Sequence, residues 1–149
     1  MWKLEPSERI ACWRDFRKSL DSLSFEDALL RVAEYWQSCP YNAHYLDPEK
    51  YHNWPTPWEL IAENYYCDLA KACGMLYTIY FTQHKSTIEA DIRVYKDTQT
   101  DVEYNLAVFS QGKYMLNFRD GTVVNIESIN KNLAQKYCFS IADLKLEEY

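Results

Sequence analysis

Glycine is scarce, with only Gly74, Gly112 and Gly121 in 149 residues. None opens a G-x-G-x-x-G or G-x-x-x-x-G-K-[ST] pattern, which excludes the backbone cradles that hold nucleotide phosphates. No cofactor is expected. Histidine is equally scarce, at His44, His52 and His84, and none follows His84. A histidine base borne on a strand of the second half is thereby ruled out. The five cysteines, Cys12, Cys39, Cys67, Cys73 and Cys138, are odd in number and contain no C-x-x-C pair, so they are read as reduced thiols in a cytoplasm. "MWKLEPSERIACWRDF" carries charge where a secretory leader has an apolar stretch. The longest apolar run, "GMLYTIYF", falls far short of the roughly 20 residues of a membrane span. Positive charge is also short. The formal charge is −6 and the pI about 5.1, a field that repels phosphate backbones. Neither nucleic acid nor a membrane is an expected partner, although Arg14, Arg17 and Lys18 cluster in "WRDFRKSL".

What the chain does have is aromatics: thirteen Tyr, five Trp and six Phe. Such an excess fills a core or makes contact surfaces. Without repeats, low-complexity tracts or a Gly/Ser linker, residues 1–149 read as one domain. Ile10, Trp13, Phe16 and Leu20 keep helical spacing, as do Ala28, Leu29, Val32, Tyr35 and Trp36 after an N-cap at Ser24. The short link between these helices predicts an antiparallel hairpin.

The stretch "SCPYNAHYLDPEKYHNWPTP" holds four of the five prolines and reads as a long loop packed over the helices by its own aromatics. Thr56 and Glu59 then form a capping box with Pro57 at the first helical position. Trp54 and Trp58 flank that cap as a hydrophobic staple. The helix predicted from Thr56 keeps its register through Tyr77, with residues 75–82 left open between helix and strand.

The second half changes period. "TIEADIRVY" alternates as a half-exposed strand, "EYNLAVF" and "KYMLNF" are joined by "SQG" as a hairpin, and "RDG" leads to "TVVNI". The expectation is an antiparallel meander of about four strands, a short helix over "ESINKNLAQKY", and a final helical turn. The fold class is α+β: about three N-terminal helices packed on a small meander.

Chemistry is sought first at Cys67. A cysteine-bearing helix followed by a hairpin resembles the core of transglutaminase-like and papain-like enzymes. That resemblance implies a cysteine nucleophile at the head of the helix, a histidine on the next strand and an Asp or Asn on the one after. Laid over this chain, Tyr104 falls in the histidine's place and Asn117 in the orienting place. Cys67 also lies eleven residues beyond Thr56, deep inside the predicted helix and remote from the terminus that stabilises thiolates. It is therefore read as structural, with His44 or His52 the only bases a cysteine enzyme could draw from the loop. His44, His52, Cys39 and Asp47 share that loop but match no compact zinc spacing, so no metal is expected. Trp54, Trp58, Tyr45 and Tyr51 are the candidate protein-contact residues.

The block "WPTPWELIAENYYCDLAKACGMLYTIYF" with "YNLAVFSQGKYMLNF" and "GTVVN" resembles a family of small proteins from tailed bacteriophages of the T4-like and marine kinds. The resemblance implies a virion or host-cytoplasm setting. From it comes the leading expectation, a non-enzymatic phage structural or assembly protein of the tail or baseplate, contacting phage or host proteins. The alternatives are a cysteine-dependent transglutaminase or hydrolase and a host-directed inhibitor.

Overall fold

The computed structural model describes residues 1–43, 46–129 and 131–149, and of Thr87 the backbone alone. Helices α1 (Pro6–Ser19), α2 (Phe25–Trp36), α3 (Pro57–Glu63) and α4 (Asp68–Tyr80) precede strands β1 (Ala90–Asp97), β2 (Glu103–Phe109), β3 (Tyr114–Leu116), β4 (Val123–Val124) and β5 (Leu133–Ser140). This is the expected α+β arrangement, ending in a 3-10 turn at Leu146–Glu148.

The sheet has five strands rather than four, antiparallel throughout, in the order β4-β3-β2-β1-β5. The extra strand replaces the helix expected over "ESINKNLAQKY". Only Ile126–Ser128 forms a 3-10 turn there, and Leu133–Ser140 pairs with β1. Strand wins because Tyr137 and Phe139 reach the main core and Leu133 the cluster on the other face of the sheet, across a register shift at Val94/Tyr95, while the edge of β1 offers unpaired backbone groups.

Helix α4 lies across β1 and β2 and is the axis of the core. Apart from Asp68 and Lys71, every one of its residues is buried, and it continues as helix to Tyr80, which settles the open segment. Trp36 of α2 presses so closely on it that a Cβ at Gly74 would lie within 2.7 Å of ring atoms Cζ2 and Cζ3. Three turns into α4 the fully buried Thr78 hydroxyl accepts the indole N–H groups of Trp13 and Trp36, each at 3.0 Å, and donates to Gly74 O at 2.6 Å. One oxygen thus ties α1, α2 and α4 together.

The two N-terminal helices depart from the expected hairpin. Helix α1 packs mainly on α3, and α2 on α4, although Phe16 and Tyr35 stack across them at 3.7 Å. The Pro-rich segment is not wholly irregular, since Pro48–Asn53 forms 3-10 turns capped by Asp47. It borders α3, where Asp47, Lys50 and Trp54 share a cavity wall with Leu60 and Glu63, and it also reaches the sheet: Tyr51 and Trp54 pack on Phe139 of β5, and Tyr137 donates to Glu49 at 3.1 Å.

Candidate active site

The capping box at Thr56 forms as read, the hydroxyl accepting from Glu59 N and Glu59 Oε1 accepting from Thr56 N, both at 3.2 Å. The helix it starts is short. Asn64 adopts a left-handed conformation (φ 59°) that closes α3, a geometry asparagine tolerates better than most side chains. Its amide donates to Trp2 O at 2.9 Å, which fixes the break. Tyr66 then runs extended beside Tyr41, and Cys67 becomes the N-cap of α4.

This reverses the main objection to Cys67. The expected continuous helix buried it in mid-helix; in the structure it stands at the amino end of a 13-residue helix. Unpaired N–H groups and the positive end of the helix dipole meet an anion at such a terminus. The Cys67 side chain makes no capping hydrogen bond and is half-buried. It opens into a cavity of about 160 Å³ shared with Tyr41, Pro48, Glu103 and Asn105.

Across that cavity the residue in the histidine's place is Asn105, not Tyr104. Alternation along β2 decides it: Asn105 shares the helix-facing side with Ala107 and Phe109 of the main core, whereas Tyr104 turns to the opposite side with Leu106 and Val108. Asn105 is only 7% exposed, and its carboxamide makes no hydrogen bond to any described residue. Asn117 directly follows β3. It too is left-handed (φ 75°), and its amide donates to Asn105 O at 2.9 Å and Asp68 O at 3.1 Å, stitching the hairpin to the first turn of α4. Cys67 and Asn105 thus share one cavity, and Asn105 and Asn117 line the next. A carboxamide binds and orients through one acceptor and two donors, but it takes no proton near neutrality.

The other sequence candidates lie elsewhere. His44 and Tyr45 fall outside the described residues. His52 is exposed and lines a separate cavity of about 260 Å³ with Tyr51, Tyr77 and Tyr149. Trp54 rests on Phe139, and Trp58 packs against Trp13, Phe81 and Tyr149. The two tryptophans therefore face different neighbours rather than stapling each other. Tyr51 joins the Trp54 and Phe139 cluster. A larger cavity, about 390 Å³ beside α3, is lined by Asp47, Trp54, Glu59 and Glu63 among others. Among the described residues it holds no thiol or histidine, so the smaller one at Cys67 is the better candidate for chemistry. Burial pushes the thiol of Cys39 up to about 11 and that of Cys73 up to about 12, which makes both poor nucleophiles at neutral pH.

A cysteine at a helix head that lies across an antiparallel sheet, with Asn105 of β2 at the same cavity, is the arrangement to be compared with known folds. The fold is similar to that of LapG. Legionella pneumophila LapG, calcium-bound, superimposes with a TM-score of 0.72 at 14% identity, over 93% of this chain and 77% of LapG. The EGTA-treated form of LapG gives 0.72 and 14% over 91% and 74%. LapG has a fold of the transglutaminase-like cysteine-protease type, so the transglutaminase-like architecture suggested by element order is present here. No family profile matches the chain, and no curated protein does.

These neighbours overturn the leading expectation. The likeness runs to a bacterial protein with a cysteine-protease type of fold, and nothing in the comparisons points to a phage, a virion or a structural role. Among the described residues no three His, Cys, Asp or Glu side chains converge on a metal position.

Proposed function

We propose that the chain is a cysteine-dependent enzyme of the transglutaminase or hydrolase type, with Cys67 as its nucleophile. The observation that carries this reading is the placement of Cys67 at the N-cap of α4, its sulfur uncapped and open to a cavity that Glu103 and Asn105 of β2 also line. In the reaction Cys67 Sγ forms a bond to an acyl carbon, and the bond from that carbon to its amine or alcohol breaks. The leaving group is protonated by water, and water or an amine then releases the acyl group from sulfur. The amide of Asn105 orients the acyl donor.

Because Asn105 takes no proton, the thiol proton passes to solvent. A positioned base contributes typically 10²–10⁴-fold, so turnover is expected to be slower than in a Cys–His enzyme by about that factor. The test is incubation with p-nitrophenyl acetate, followed by peptide mapping of the acetyl group and by continuous nitrophenol release. The reading expects acetyl on Cys67, release beyond a single equivalent, loss of both in Cys67→Ser, and faster turnover in Asn105→His. Acetyl confined to the exposed Cys138, or release indifferent to Cys67→Ser, overturns it.

A further inference from the structure

The cavity at Cys67 is one of a group. A second cavity of about 210 Å³ is lined by Asp68, Asn105, Phe118 and Asp120 among others. A third of about 200 Å³ is lined by Tyr41, Tyr66, Asp68, Lys71 and Asp120 among others. Asp68 borders all three, which places them side by side around the head of α4.

The charge of that group has one sign. Among the described residues, Asp68, Glu103 and Asp120 line it against the single cation Lys71, three minus one, for a net of −2. Lys71 is engaged by Asp120 at 2.7 Å, while Asp68 and Glu103 form no ion pair among the described residues. Arg119, the nearest further cation in sequence, lies over the Phe118 ring at 5.7 Å. A helix head alone favours anions, but two unpaired carboxylates at its mouth reverse that preference.

Two further observations specify the ligand. Asn105, more than nine-tenths buried and with an unpartnered carboxamide, lines two of the three cavities. Its carboxamide, open to those cavities, offers one acceptor and two donors that a peptide bond can pair with. Tyr41 stands 73% exposed on the rim, its ring open to solvent, and an aromatic face attracts an ammonium or guanidinium laid over it.

We propose that this group of cavities selects an extended peptide carrying an arginine or lysine. The basic group pairs with Asp68 and Glu103, its stem lies along Tyr41, and Asn105 holds the adjoining peptide bond. Any acyl transfer from the docked peptide rests on the Cys67 reading, but the docking itself does not. It is tested with the Cys67→Ser protein and two end-blocked, fluorescently labelled peptides, Ala-Ala-Arg-Ala-Ala and Ala-Ala-Glu-Ala-Ala, followed by anisotropy.

The arginine peptide is expected to bind about tenfold more tightly, the sum of exposed charge pairing and one aromatic contact. Asp68→Asn with Glu103→Gln should erase most of that preference, and added salt should weaken it, while circular dichroism confirms the fold. Equal binding, a preference for the glutamate peptide, binding of neither, or indifference to the two neutral variants overturns the proposal. If arginine binding persists while Cys67 fails to acylate acetyl esters, the chemistry falls and the docking stands. The converse result separates them the other way.

Discussion

The Thr78 hydroxyl sets the position of α4 and hence of Cys67, and replacing it tests the architecture directly. Thr78→Val keeps the shape and β-branching but removes the oxygen that accepts from Trp13 Nε1 and Trp36 Nε1. Gly74 O keeps its helical hydrogen bond, so its loss of the hydroxyl matters less. Two indole N–H groups, on residues with no solvent exposure, lose their acceptor at about 1–3 kcal/mol each, roughly 2–6 kcal/mol together. For a domain of this length each kcal/mol moves the melting midpoint by about 2–4 °C, so a fall of roughly 4–24 °C is expected.

Urea denaturation followed by tryptophan fluorescence gives the free energy, and thermal circular dichroism gives the midpoint. Thr78→Ser is the control. It keeps the oxygen and gives up one methyl, a loss on the order of 0.5–1.5 kcal/mol by analogy with other single-methyl deletions. A Thr78→Val protein within about 0.5 kcal/mol of the natural chain, the spread of an ordinary surface substitution, refutes the reasoning. So does a Thr78→Ser protein less stable than Thr78→Val.

Two further outcomes are expected from the same core. Gly74→Ala drives a methyl into the Trp36 ring, which is itself fully buried and cannot swing aside; a loss of about 1–3 kcal/mol or more is expected despite alanine's better helix propensity, and a gain in the melting midpoint counts against the close approach. Alkaline pH should also destabilise the protein. Burial raises the thiols of Cys39 and Cys73 to about 11 and about 12, and lifts the Tyr77 hydroxyl well above its ordinary value, whereas unfolded thiols ionise near about 8.5 and tyrosines near about 10. The unfolded chain therefore releases protons first as pH rises. The stability these groups contribute is intact below about pH 8.5 and is lost progressively toward pH 11 to 12. Urea midpoints at pH 7.5 and 10 check this, and an unchanged midpoint contradicts it.

How much of this was legible in the sequence depended on range. The Thr56–Glu59 box and the Ser24 cap, where the side chain accepts from Asp27 N at 3.2 Å, are settled within four residues and read correctly. Gly112 takes positive φ in the hairpin as expected. The break at Asn64 was hidden because Ile61, Tyr66, Leu69 and Cys73 keep an apolar spacing that spans it; only the left-handed asparagine marks the new helix. That single break moved Cys67 from mid-helix to helix head.

The residue opposite Cys67 was misplaced by one, which on a strand means the wrong face. Extending the alternation of Ala107 and Phe109 backward would have put Asn105, not Tyr104, toward the helix. Strand β5 went unread because its partner β1 is remote in sequence, and "NLAQKY" taken alone suits a helix as well as a strand. The Thr78 junction draws on three helices, and no local pattern announces it.

The place of β5 also bears on how the chain reaches its fold. Ile92 meets Phe139 and Asp91 meets Ser140, so until the last part of the chain arrives, β1 has a partner on one side only. Its other edge, carrying Ile92 and Val94, would meanwhile be open to a strand from another molecule. Loss of the C-terminal strand would thus make self-association a hazard during synthesis, even though Cys67 and Asn105 lie outside the missing segment.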